Sequence, residues 1–191
     1  MSSFTRNTPS ANSVRCRRAA GAGLALMLAS GAALADGAHR FVFTAYSDGT
    51  GGAEVVAGRY RMALDELGSR APVLDPDPTA TNTNRCVAYS MTLQWQEARV
   101  ACDAAVRAAE DQRSAQAAEW TWSPASNDDR LAIAYANRAI VNWLSHDDAA
   151  AREDLAKARQ LSPQAAFVAR NLAALATHAE MAQAAAALPK S

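Results

Sequence analysis

The chain has 191 residues, half of them apolar but only 6% aromatic, and its 19 Lys+Arg balance 19 Asp+Glu. That length fits one modest domain, and an alanine-rich, glycine-poor composition favours helix. The charge is unevenly spread. Arg6, Arg15, Arg17 and Arg18 all precede the first acidic residue, Asp36, so the chain beyond residue 35 carries 15 basic against 19 acidic side chains, a net −4. A mildly acidic body argues against nucleic acid or an anionic membrane as a main partner.

The four arginines stand before an apolar run, Ala19 to Leu34, which closes in Ala33-Leu34-Ala35. A basic start, a short apolar stretch and small residues before a cut site describe a secretory signal peptide, residues 1–35, with cleavage expected after Ala35. The run is too short and too rich in Ala and Gly to favour a membrane span. Export to the periplasm or beyond follows as an expectation. With Cys16 on the signal, the pair Cys86 and Cys102 is left, and two cysteines in an exported chain read first as a disulfide.

Residues 36–52 form an irregular segment. His39 to Tyr46 (HRFVFTAY) is the only β-like run, and Gly49-Thr50-Gly51-Gly52 breaks the chain after it. A Gly-rich turn before a helix can cradle phosphate, but no P-loop Lys-Ser/Thr follows, so a flexible surface turn is expected. Ala53 to Leu67 is amphipathic over a single helix, with Val56, Tyr60, Ala63, Leu64 and Leu67 at helical spacing. Pro72, Pro76 and Pro78 punctuate the next loop, where Asp75 and Asp77 alternate without the spaced Glu of a calcium site. A helix pair is expected over Thr81 to about Ala118, its first helix from Asn82 to Gln94 and its second from near Gln96. Residues 111–130, containing Trp120 and Trp122, read as a loop, with Asn127-Asp128-Asp129 capping a helix from Leu131.

Self-alignment organises these pieces. Asn84-Arg85-Cys86 and Asn137-Arg138-Ala139 lie 53 residues apart, and the same offset relates Ala98 to Ala151, Cys102 to Leu155 and Ala105 to Ala158. Asn171-Leu172-Ala173 begins a third copy 34 residues after Asn137, which makes residues 111–130 a 19-residue insertion.

A 34-residue period of helix pairs resembles the tetratricopeptide repeat, on Tyr135, Ala139, Ala151, Leu155, Ala158, Leu161 and Pro163 of the central copy. Arg138 stands where that pattern prefers Leu, and Trp143 is an addition to it. The resemblance implies an all-α fold, a short solenoid of helical hairpins over residues 53–188: a half copy at 53–70, copies at 79–110 and 131–163, and a capping helix at 164–188. Small residues at Ala139, Ala151 and Ala158 would let helix backbones approach closely. By the same correspondence Cys86 takes the place of Ala139 and Cys102 that of Leu155, which puts a disulfide across one hairpin. Closing a loop of about 15 residues contributes on the order of 3 kcal/mol.

The first helices of such repeats line a concave groove for an extended peptide or a partner helix. The resemblance therefore places Asn84, Val87, Asn137, Ile140, Trp143, Arg170 and Asn171 in a binding groove. Asparagine suits this work because its carboxamide donates and accepts at once. The lysines that clamp a terminal carboxylate in some members are replaced by Ala80 and Ile133. Trp120 and Trp122 offer a second candidate contact surface. No HExxH, GxSxG or Cys-His arrangement appears, and the acidic pairs Asp147-Asp148 and Glu153-Asp154 read as solvated helix surface. No enzyme activity, cofactor or metal is expected. The expected role is an exported module that binds a protein or peptide partner. The alternatives are a small-molecule or cell-wall-fragment binder, and an accessory subunit that docks on an envelope complex through the tryptophan-containing insertion.

Overall fold

Seven helices carry most of residues 40–69, 75–118 and 124–187, which are the residues the computed structural model describes. They are α1 (Gly52–Val56), α2 (Tyr60–Ser69), α3 (Pro78–Met91), α4 (Trp95–Ala118), α5 (Pro124–Leu144), α6 (Asp148–Leu161) and α7 (Ala166–Ala187). The fold is all-α, and no helix among the described residues is long and apolar enough to cross a membrane. The expected signal peptide lies outside the described residues.

Helix α3 pairs with α4 and α5 with α6, while α4 joins the two pairs by packing on α5. The 53-residue offset extends to the turns between the paired helices. Leu93 (φ 62°) ends α3 and His146 (φ 63°) ends α5, both in the left-handed region. In each turn the amide two residues after the cap returns to a carbonyl of the last helical turn, Gln94 N to Tyr89 O at 3.0 Å and Asp147 N to Asn142 O at 2.9 Å. Such bonds satisfy carbonyls that a helix end leaves open. Asp147 then caps α6 through Ala150 N at 3.1 Å, and Asp77 caps α3 through Ala80 N at 3.0 Å.

The corresponding small residues sit where the helices cross. Ala98, Ala105, Ala139, Ala151 and Ala158 are all at most 1% exposed, and Ala105, Ala139 and Ala158 share one core with Leu155, Val168, Leu131 and Val106. Cys86 and Cys102 are joined in a disulfide across the α3–α4 hairpin, fully buried beside Ala98, Ala101 and Val141.

Three expectations are corrected. The single helix over Ala53–Leu67 is broken into α1 and α2, because Gly58 turns into the left-handed region (φ 75°). The 111–130 insertion is not a loop over its described residues. Helix α4 runs to Ala118, as expected, and α5 already starts at Pro124, so Asn127-Asp128-Asp129 lie within α5 rather than capping it. These two helices are tied together by Arg113 to Asp128 at 2.6 Å and by Gln112, which accepts from Thr79 and Arg130.

The third correction concerns Asp154, which is buried (3% exposed), not solvated. Arg138 donates to both its oxygens at 2.8 Å, Asn142 donates at 3.0 Å, and the same guanidinium reaches Asp103 on α4 at 3.1 Å. Those carboxylates hold the Arg138 guanidinium charged well above its usual range. A bidentate pair satisfies the buried charge, which explains an arginine at a position where an apolar residue was expected.

Candidate functional site

The first helices of the successive pairs, α3, α5 and α7, carry Asn84, Asn137 and Asn171 at matching positions. All three are buried, at 0%, 1% and 0% exposure. A buried carboxamide needs a donor and an acceptor opposite it. Here both come from the main chain of one extended segment, the chain's own residues 41–46.

Asn171 accepts from Val42 N at 2.7 Å and donates to Val42 O at 3.1 Å. Asn137 accepts from Thr44 N at 2.9 Å and donates to Thr44 O at 2.7 Å. Asn84 accepts from Tyr46 N at 2.8 Å and donates to Tyr46 O at 2.9 Å. The step of two residues between clamps is dictated by the segment. In an extended chain every second residue turns the same edge to the same side. Six hydrogen bonds thus do for this segment what a neighbouring strand does in a sheet.

The alternate side chains, half-buried, pack on the helices. Phe41 packs on the main core and forms a ring cluster with Trp143 (centroids 4.8 Å) and His178 (5.5 Å), which also face each other at 4.5 Å. Phe43 lies over both the disulfide cluster and the cluster of Val55, Leu67 and Val87, and Ala45 packs on the latter. Tyr46 ends the run with its ring 4.8 Å from the Arg130 guanidinium, which is itself paired with Asp77. Burial pushes the Tyr46 hydroxyl up to about 12, and that buried oxygen has no hydrogen-bond partner.

The glycine turn that follows is part of the site. Thr50, Gly51 and Gly52 are buried, contrary to the expected surface turn. A Cβ on Gly52 would stand 1.9 Å from Tyr46 O and 3.0 Å from the Asn84 amide nitrogen. Gly51 adopts φ 69° beneath Leu67. Asn84 donates to Thr50 O as well, at 3.1 Å, so one side chain fixes both the segment's end and its turn.

Of the residues expected in a groove, the three asparagines and Trp143 touch the extended segment. Val87 (4% exposed) belongs to the buried cluster on which Phe43 and Ala45 pack, Ile140 (1%) is buried among the helices, and Arg170 is exposed. Trp120 and Trp122 lie outside the described residues. Sequence reasoning missed Phe41, Phe43, Tyr46, His178 and Gly52. The alternation of HRFVFTAY was the available signal, but it suggested a strand and not a partner for side chains. Comparison with protein-family models, with curated proteins and with solved structures found no match to this chain.

Proposed function

We propose that the chain is an exported, non-catalytic interaction module of tetratricopeptide type. Its groove binds an extended peptide of a partner through the main chain, and residues 41–46 are the resident occupant that a partner displaces. The observation that carries this reading is the asparagine ladder, three carboxamides each pairing both polar groups of every second residue. Such pairing uses no side-chain information, so any extended backbone presents the same edge to it. The disulfide supports an oxidising compartment, in keeping with the expected signal peptide.

The resident segment competes as an intramolecular ligand at an effective concentration of order mM. A test therefore needs it loosened. Thr44→Pro removes the N–H that Asn137 accepts, and Phe41→Ala/Phe43→Ala removes the anchoring rings. Neither change touches the asparagines. A fluorescein-labelled peptide of residues 40–47 is expected to bind either folded variant saturably, at least a hundredfold more tightly than the unmodified protein. N-methylation at the peptide's threonine, or Asn137→Ala in the protein, should abolish the gain. Absence of binding to both variants, with the disulfide and helix content intact, rejects the reading.

A further inference from the structure

We infer that a cavity between the end of α5, the start of α6 and the middle of α7 binds a small aromatic carboxylate. This site lies apart from the asparagine ladder, and its occupancy does not require residues 41–46 to move. The cavity holds about 530 Å3. That is the size of small-molecule sites, which combine an apolar, aromatic lining with a few placed polar groups.

The ring wall is already built. Trp143 and His178 line the cavity, and both are only half-buried. Their rings lie 4.5 Å apart, and Phe41 packs on both, so the wall is in place before a ligand arrives. Leu144 and the buried Leu175 complete the apolar part. A flat ring gains offset or edge contacts with such a wall, and a saturated ring of similar size forfeits them.

The polar part is short of acceptors. Among the described residues, no protein acceptor takes a hydrogen bond from the Trp143 indole, from the His146 or His178 ring, or from the Arg152 guanidinium, and Arg152 has no carboxylate within ion-pair distance. Asp148, one helical turn before Arg152 on α6, is the single carboxylate among the described lining residues. Donors therefore outnumber acceptors, and a ligand carboxylate restores the balance. A planar guanidinium pairs with it through two parallel bonds. Asp148 repels a second negative charge, so the ligand is a monoanion. The smaller cleft beside Arg138, of about 220 Å3, is the opposite case. There Arg138 is already spent on Asp154 and Asp103, and Lys157 on Glu153.

The test titrates the oxidised protein with three probes by calorimetry. Indoleacetate carries the ring and the charge, indoleacetamide the ring alone, and cyclohexylacetate the charge without a flat ring. Indoleacetate is expected to bind saturably at one site, and each of the others at least tenfold more weakly. Arg152→Gln, at an exposed side chain with no partner to lose, should weaken indoleacetate at least tenfold and leave indoleacetamide unchanged. Trp143→Phe keeps a ring in the cluster, removes the indole N–H and should weaken indoleacetate severalfold. In amide NMR spectra, indoleacetate should shift the Trp143 indole and the amides of Leu144 and Leu175. Tyr89 and Val100, which line a separate cleft on α3 and α4, should stay in place. No saturation at millimolar indoleacetate, or shifts at Tyr89 and Val100 instead, overturns the site. Equal affinity for the acid and the amide, or an unchanged Arg152→Gln protein, overturns recognition of the carboxylate. Equal affinity for indoleacetate and cyclohexylacetate overturns selection of a flat ring.

Discussion

Asn137→Ala is the most informative single perturbation. The side chain is 1% exposed and holds both polar groups of Thr44, at 2.9 and 2.7 Å. Truncation leaves an N–H and a C=O inside the protein without partners, at about 1–3 kcal/mol for each. The segment limits that cost by lifting away from the helices, but lifting exposes the half-buried rings of Phe41 and Phe43, each contributing about 1 kcal/mol. The expected loss is therefore about 2–4 kcal/mol of unfolding free energy, or roughly 10 °C in Tm for a domain of this size. Urea denaturation of the oxidised protein measures it. A double-mutant cycle with Thr44→Pro sharpens the result, since both changes break the same hydrogen bond and their costs should fall short of additivity by about 1 kcal/mol or more. A loss below about 0.5 kcal/mol, or strict additivity, would refute the argument that the carboxamide holds the segment.

Other outcomes follow from neighbouring contacts. Gly52→Ala forces a Cβ into the Tyr46 carbonyl and should cost about 2 kcal/mol or more, whereas Gly68→Ala, with nothing within 4 Å, should stabilise α2 by about 0.5–1 kcal/mol; thermal melts separate the two. Tyr46 has its folded value raised to about 12 from 10, so its neutral form is favoured in the fold and stability should fall as pH rises through that window. Arg130 faces the ring and opposes the shift, while Asp77, Asp129 and Asp48 reinforce it. Tyr46→Phe should flatten the alkaline decline in a pH series of urea melts and, by removing an unpartnered hydroxyl, raise stability at neutral pH. Reducing the Cys86–Cys102 bond, which closes a separation of 16 residues, should cost about 3 kcal/mol, read as a shift in the urea midpoint with and without reductant.

The sequence carried the helical class and the disulfide because both depend on repetition. Asn84 and Asn137, Cys86 and Ala139, and Cys102 and Leu155 share one offset, and burial at matching levels reproduces it. The helix pairs were legible because alanine and 3.6-residue spacing act locally. What was not legible depends on partners far along the chain. Thr44 meets Asn137 across 93 residues and Val42 meets Asn171 across 129, so HRFVFTAY showed its alternation but not what it pairs with. Asp154 looked solvated until Arg138 arrived from the facing helix. The early start of α5 was hidden by the polar, proline-punctuated composition near residue 124, and the break at Gly58 by a helical pattern that tolerates a glycine. The turn at Gly51-Gly52 read as flexible because glycine signals permission, and only the tertiary structure shows that it signals closeness.

The claim on which the rest stands is that buried asparagines hold every second residue of an extended segment. Native-state amide hydrogen exchange tests it residue by residue. The amides of Val42, Thr44 and Tyr46 should exchange slowly, while those of Phe43 and Ala45, which the asparagines do not reach, exchange faster by an order of magnitude or more. Uniformly fast exchange from 41 to 46 would contradict the ladder, and so would protection without alternation.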